Sequence, residues 1–377
     1  MRVPSTTIFC IIVLALSACK HRRQDELKTY ILGDWKTLDK VVDSRRMMSG
    51  ISFHQDMTCD VKPGYFKQFF KSEDSRVLSF LGTKTRYTIA GDILKVFNLA
   101  DSTWEQTQIL HTDSNTLKLC TISGDTSTYT RLQKQSHVPF QFDQIIVSSS
   151  GCEGSCPINS TLISNQGIAL YYGERYNVRN GVFQFNIDPE IFKTVARAFQ
   201  NVTLSELKNV YRAPWSDDEA VVVTFISKGR IKKTIVDYGR VAPSELCWAY
   251  TPVRYLYQSS RLKKPEGKNA GLVFRATDFK SRNKIIVLAQ TEGFYLLSLL
   301  QQATEITRNF KTKYVLRTVD EESPKLIETD GRFYKITWKS GKQNTFDLGY
   351  DFLEHNDLLK KERLLIGSDE FYHFRIY

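Results

Sequence analysis

The sequence predicts a multidomain chain, an all-β antiparallel barrel or sandwich followed by two α+β domains in which antiparallel sheets carry packed helices. Three observations predict it. Residues 30–134 are a series of short β-rich runs separated by polar turns; a helix start stands at Asp188-Pro189-Glu190; and polar, Pro-containing stretches at 133–139 and 261–269 divide 377 residues into pieces of about 100–150 residues, the ordinary domain size. Hydrophobic residues make up 41% and charged residues 25%, too apolar for a disordered chain and too polar for a polytopic membrane protein.

The first element is a leader. Arg2 forms a short positive n-region, and Ile8 to Leu16 is an apolar run of signal-peptide length, too short to span a bilayer. It ends in Leu16-Ser17-Ala18-Cys19, which resembles the bacterial lipobox. The resemblance implies a signal peptide over 1–18 and a mature chain whose first residue, Cys19, carries palmitate-type acyl chains. It also implies that residues 19–29, which include Lys20-His21-Arg22-Arg23, are a tether. Several acyl chains exceed the two-signal threshold for stable membrane anchoring. The expected location is the cell envelope, at the outer membrane of a Gram-negative bacterium, since Lys20 is not an inner-membrane retention signal of the Asp type.

Residues 30–134 follow as a β-domain. Strands are expected at Ile51–His54, Thr85–Ala90, Ile93–Asn98, Thr103–Leu110, Leu117–Ile122 and Ser127–Leu132, with tight turns at Ala90-Gly91-Asp92 and Ser123-Gly124-Asp125. Gly33-Asp34-Trp35 with the late Tyr129-Thr130-Arg131-Leu132 resembles the opening and closing strands of lipocalin-like barrels. The resemblance implies a barrel end plugged by Trp35 under the guanidinium of Arg131, a cation–π contact of about 0.5–2 kcal/mol.

Residues 140–262 read as an α+β domain. Strands are expected at Gln144–Ser149, Asn159–Ile163, Ile168–Tyr172, Ala220–Ile226 and Arg230–Val236. A helix opens at Asp188-Pro189-Glu190, with Asp as N-cap and Pro at the first helical position, and brings Ile191, Phe192, Val195 and Phe199 to one face. A second helix starts at Ser244 and is expected to kink or split at Pro252. The series Gly151-Cys152-Glu153-Gly154-Ser155-Cys156-Pro157, Tyr171-Tyr172-Gly173, Trp215-Ser216-Asp217-Asp218 and Asp237-Tyr238-Gly239 resembles an uncharacterised domain family of bacterial envelope lipoproteins. That resemblance implies a domain boundary and no chemistry. The last unit, 270–377, has expected strands at Leu272–Ala276, Lys284–Leu288, Tyr314–Val319, Phe333–Trp338 and Phe371–Ile376, and an apolar helix from Glu292 to Thr307. Its turns faintly echo those of the middle domain, as chance or as a duplication.

With Cys10 and Cys19 assigned to the leader and the lipid, five cysteines remain for an oxidising space. Cys152 with Cys156, and Cys59 with Cys120, are the expected disulfides, and Cys247 is left on an apolar helix. A thiol–disulfide role for Cys152 and Cys156 is the alternative, although Cys-x-x-x-Cys leading into a strand differs from a redox pair at a helix N-terminus. Asp217-Asp218-Glu219 is a dense acidic loop, read as solvated or as a carboxylate pair for a cation or acid–base work. The six histidines form no pair at ligand spacing, and no nucleophile elbow, phosphate loop or dinucleotide fingerprint is present. The chain carries no expected catalytic residue, metal or cofactor. The formal charge of +11 falls to +10 once Arg2 leaves with the leader, and outside the cytoplasm it concerns lipid headgroups and acidic glycans rather than nucleic acid. The expected role is a membrane-anchored binding or interaction module, with a small apolar ligand, a glycan or an envelope protein as partner.

Overall fold

The structure is a computed structural model that describes residues 26–37, 40–42, 45–47, 49–72, 75–133, 140–200, 202–319 and 324–364. The expectations at Cys10, Cys19, the stretch 134–139 and the strand Phe371–Ile376 lie outside the described residues. Two compact units emerge, one drawn from Met1–Lys67 and Phe80–Ser136, the other from Gln68–Ser79 and His137–Tyr377.

The first unit is an eight-stranded antiparallel barrel. Strand β1 (Gly33–Thr37) and a small hairpin, β2 (Lys40–Val42) and β3 (Arg45–Met47), precede β4 (Gly50–Phe53). A meander follows, from β5 (Thr58–Ser72) and β6 (Ser75–Ala90) through β7 (Ile93–Asn98) and β8 (Thr103–Thr112) to β9 (Thr116–Thr121) and β10 (Thr126–Arg131). The barrel closes because β1 pairs with β10 on one side and β4 on the other. Alternation sends Trp35, Phe53, Cys59, Tyr87, Leu94, Ile109, Leu117 and Leu119 inward, where they pack with Ile31 as one buried cluster. Phe53 and Tyr87 meet edge to face at 4.8 Å.

Trp35 and Arg131 are direct register partners across β1 and β10, and the guanidinium lies 4.2 Å from the indole ring centroid. Arg131 also donates to the carbonyls of Leu32 at 2.6 Å, Tyr30 at 2.7 Å and Ser114, while the Trp35 indole N–H donates to Ile31 O at 2.7 Å. Gly33, at φ +109°, is required here, since a Cβ would lie 2.5 Å from the Arg131 guanidinium. The strand β5 had no counterpart in the sequence reading, because Lys62-Pro63-Gly64 breaks its pattern.

In the second unit, the strands β11 (Gln144–Ser149), β12 (Ile158–Ser164), β13 (Ile168–Arg175), β14 (Gly181–Asn186), β15 (Val210–Arg212), β16 (Ala220–Ser227) and β17 (Arg230–Tyr238) form one sheet. Its order is β14-β13-β12-β11-β16-β17-β15, antiparallel except for the parallel β15–β17 pair. Helix α1 (Pro189–Gln200) buries Phe192, Val195 and Phe199 and leaves Ile191 exposed. Helix α2 (Ser244–Tyr255) runs unbroken through Pro252, which lies within its last turn and removes a single backbone donor; the chain then tightens into the 3-10 turn Leu256–Ser259.

The rest of the chain adds an eight-stranded sheet from β18 (Ala276–Lys280), β19 (Lys284–Val287), β20 (Thr304–Ile306), β21 (Tyr314–Thr318), β22 (Leu326–Thr329), β23 (Phe333–Thr337), β24 (Gln343–Asp347) and β25 (Glu362–Leu364). They are ordered β20-β24-β23-β22-β21-β18-β19-β25. Helix α3 (Gln290–Leu300) is buried on nearly every side, and α4 (Phe352–His355) is a single turn. The helix expected to reach Thr307 ends at Leu300, and Thr304–Ile306 pairs with β24 instead.

The segments 140–262 and 270–364 share one core. Ile146, Leu162, Leu170, Val182 and Ile226 of the seven-stranded sheet pack with Phe274, Phe294, Leu297, Tyr334 and Phe352. Thr224 and Thr291 exchange a buried hydroxyl hydrogen bond at 2.7 Å, Tyr295 donates to Gly229 O at 3.0 Å, and Ile231 N donates to Asn356 Oδ1 at 2.9 Å. The two stretches expected as separate domains therefore constitute one compact unit. The physical reason lies in α3, whose largely apolar surface is buried on nearly every side and has to be covered from both.

Two outcomes follow from this packing. Arg131→Ala removes a cation–π contact and three backbone-carbonyl partners, so the barrel loses about 2–4 kcal/mol; urea-dependent labelling of the buried Cys59 thiol reads the loss as earlier exposure. Residues 140–262 expressed alone expose one apolar sheet face and bind a hydrophobic dye, whereas residues 140–364 unfold cooperatively and do not.

Candidate functional site

Three loops meet at one end of the seven-stranded sheet: 150–157 between β11 and β12, 213–219 before β16, and 239–243 after β17. Ser150 N donates to Ala220 O and Ala220 N to Ser150 Oγ, both at 2.9 Å, so the first two loops are cross-tied. Gly239 N donates to Glu219 O at 3.0 Å, and Asp218 N donates to the Tyr238 hydroxyl at 3.2 Å, which ties the third. Gly239 adopts φ +74°, and a Cβ there would lie 2.5 Å from the Ala213 Cβ. Three of the sequence motifs, the Cys-containing loop, the Trp-acidic loop and Asp-Tyr-Gly, are therefore parts of one corner.

The acidic loop does not gather its carboxylates. Asp218 accepts the Trp215 indole N–H at 3.0 Å and the Glu219 backbone N–H at 2.8 Å. Asp217 is exposed at φ +67° and accepts from Ser216 Oγ at 3.0 Å. Glu219 turns inward to a bidentate pair with Arg254 of α2, at 3.0 and 2.5 Å. Among the described residues no cluster of three or more His, Cys, Asp or Glu is arranged to hold a metal ion.

Between the sheet and α2 lies a buried polar layer. Asp237, 1% exposed, accepts from the backbone N–H groups of Val241 at 2.8 Å and Ala242 at 2.9 Å. Its other oxygen accepts from the Tyr250 hydroxyl at 3.0 Å and the Cys247 thiol at 3.4 Å. Burial raises the Asp237 carboxyl above the usual range, against the opposing pull of those donors. Burial and the neighbouring Asp237 push the Cys247 thiol far above its ordinary value, which leaves it an unreactive group. Burial opposes ionisation of Glu219 as well, but the Arg254 charge, its hydrogen bonds and the nearby Arg240 outweigh it and hold the carboxyl below its ordinary value. Arg254, Tyr250 and Asp237 were not singled out as a group from sequence; Asp237-Tyr238-Gly239 was the available signal, and its partners lie on a helix that reads as merely apolar.

Cys152 and Cys156 are joined by a disulfide, with Cα atoms 5.6 Å apart. The bridge closes a loop that exposes Glu153 and Gly154 and enters β12, not a helix N-terminus. Ser149 Oγ donates to Pro157 O at 2.7 Å beneath it. The expected Cys59–Cys120 bridge is not formed, and both residues are free thiols. Cys59 on β5 points into the barrel, whereas Cys120 on β9 directly follows the inward Leu119 and so points outward. Their side chains sit on opposite sides of the barrel wall. Burial, then Asp60, pushes the Cys59 thiol up to about 12.

The fold and this corner together define the class: an antiparallel barrel followed by an α+β unit with a disulfide-closed, polar-cored sheet end. Residues 143–257, from β11 through α2 and into the turn after it, match the family described as Domain of unknown function (DUF6438). The chain thus carries a DUF6438 domain behind an eight-stranded barrel. No curated protein and no solved structure matches the chain.

The buried pair gives a signed pH dependence. The stability contributed by Glu219 is fully present above its ordinary value of 4.5 and is lost as pH falls through the lowered folded value. Glu219→Gln leaves Arg254 buried without its counter-charge and costs about 3–5 kcal/mol at neutral pH. Thermal unfolding of the second unit followed from pH 7 to about pH 3 should show a shallower acid decline in the variant than in the wild type.

Proposed function

We propose that this protein is a lipid-anchored module of the bacterial cell envelope that works by binding, with Cys19 as the lipid-bearing residue. The observation that carries the binding reading is the fate of the reactive groups in the DUF6438 domain. Cys152 and Cys156 are bonded, Cys247 and Asp237 are buried against each other, and Glu219 is held by Arg254. These groups rigidify a sheet end and leave the loops around it to present a fixed surface. The Leu16-Ser17-Ala18-Cys19 sequence supports the anchor. No helix among the described residues is long and apolar enough to cross a membrane; in this reading the acyl chains on Cys19 supply the attachment.

The barrel is plugged at its Trp35 end by large side chains, and the partner class this reading takes is an external glycan or envelope protein. The exposed disulfide loop is the one feature that favours a thiol–disulfide role for Cys152 and Cys156. Insulin reduction by the purified protein, abolished in Cys152→Ser, would establish that role; an inactive wild type removes it.

The anchor is tested by metabolic labelling with palmitate. The wild type should incorporate label and sediment with membranes, and Cys19→Ser should lose the label and appear in the soluble fraction. A wild type that takes up no label, or a Cys19→Ser variant that still carries it, rejects the assignment. In-cell crosslinking that recovers no partner from the wild type counts against the binding reading.

A further inference from the structure

A second feature of the same unit lies away from the disulfide corner, at the free edge of the seven-stranded sheet. Strand β14 ends the sheet, and the chain after the family domain returns to cover it: Gln184 N donates to Lys263 O at 2.8 Å and Lys263 N to Gln184 O at 2.9 Å. This narrow bridge pins the segment beside the strand and leaves a cavity of about 420 Å³ between them. Its polar lining is Gln184 and Asn186 from the strand and Arg261, Lys263, Lys264 and Glu266 from the covering segment. The volume falls within the ~300–1,000 Å³ of small-molecule sites.

The chemistry of the lining is what distinguishes it. Several charged side chains elsewhere in this unit are paired, as Arg254 is with Glu219, Arg317 with Asp278, Arg332 with Asp347 and Lys361 with Glu292. Around this cavity three cations face one carboxylate, and no described residue forms an ion pair with Arg261, Lys263 or Lys264. Lys264 lies 4.8 Å over the Phe183 ring, a contact that does not neutralise its charge. The excess positive charge calls for an anionic group on the ligand. Glu266, an acceptor, would repel a bare inorganic anion that filled the site, and it calls for hydroxyl donors. Gln184 and Asn186 each bring a donor and an acceptor for the same purpose. A molecule that offers several hydroxyls and one acidic substituent meets all three demands.

We infer that the groove between β14 and residues 261–266 binds an acidic sugar, one that carries a carboxylate or a phosphate, with Arg261, Lys263 and Lys264 on the acid and Gln184, Asn186 and Glu266 on the hydroxyls. This deepens the binding reading above by naming a ligand class, and it does not depend on the anchor. One wall belongs to the DUF6438 match and the other follows it, so the site arises where the family domain joins the rest of this chain.

The test uses the full chain and isothermal titration with a glucuronic-acid-containing disaccharide, glucose 1-phosphate, maltose and inorganic phosphate. The two acidic sugars should bind, and maltose and inorganic phosphate should bind about tenfold more weakly or not at all. Arg261→Gln with Lys264→Gln, both exposed and outside the core, should weaken the acidic sugars by about tenfold. Glu266→Ala should narrow the gap between glucose 1-phosphate and inorganic phosphate. Phosphatidylcholine vesicles doped with phosphatidylinositol or with phosphatidylserine separate the sources. Capture by phosphatidylinositol alone assigns a membrane-borne sugar, and binding of only the soluble sugars assigns a free glycan. Equal capture by phosphatidylserine, equal binding of maltose, no binding of either acidic sugar, or an unchanged double variant overturns the inference. The palmitate experiment is unaffected by any of these results, so the two readings fail separately.

Discussion

The second unit depends on a sheet whose two faces must both be buried. On one side lie α1 and α2, with Phe199 meeting Phe225 at 5.2 Å and the polar layer around Asp237 under α2. On the other lies α3, with the core of the eight-stranded sheet behind it. Strands such as Ala220–Ser227, buried at seven of eight positions, are stable only under both covers. A family domain that ends at residue 257 therefore finishes its packing with chain that comes after it.

The polar layer shows how the same burial shapes chemistry. A carboxylate and a guanidinium removed from water lose hydration worth several kcal/mol each, and geometry must return it. Arg254 does so by placing two donors on the two oxygens of Glu219. Asp237 is supplied instead by two backbone N–H groups, a phenol and a thiol, so a single side chain closes the turn after β17 and anchors α2. The groups that look most reactive in the sequence are thereby the ones most constrained. At the edge of the same sheet the covering segment is held to β14 by two backbone hydrogen bonds, and Arg261, Lys263, Lys264 and Glu266 line the cavity beside it.

Much of the fold was legible in the chain because it is written in local chemistry. Strands β7 and β11 fall on the predicted residues, and α1 starts at the Pro that follows its Asp cap, since alternation, turns and caps act over a few residues. The reading of Trp35 and Arg131 as partners was legible through a motif, and the register of β1 with β10 places them face to face. Strands β5, β14, β22 and β24 were not legible, because Pro, Gly and charged residues blur their two-residue period. The Cys59–Cys120 expectation failed on a property of the closed barrel, the inward or outward sense of each strand position.

The sequence by itself determined the order of units, the β character of the first and the mixed character of the rest, because hydrophobic period and turn chemistry are short-range. It also placed the cysteine loop, the acidic loop and the Asp-Tyr-Gly turn as separate motifs. Only the tertiary structure decided that these motifs are one corner, that two apparent domains are one packed unit, and that Glu219 belongs to Arg254 rather than to its neighbours in the acidic loop. Each of those outcomes rests on partners tens of residues away, chosen by burial and hydrogen-bond satisfaction in three dimensions.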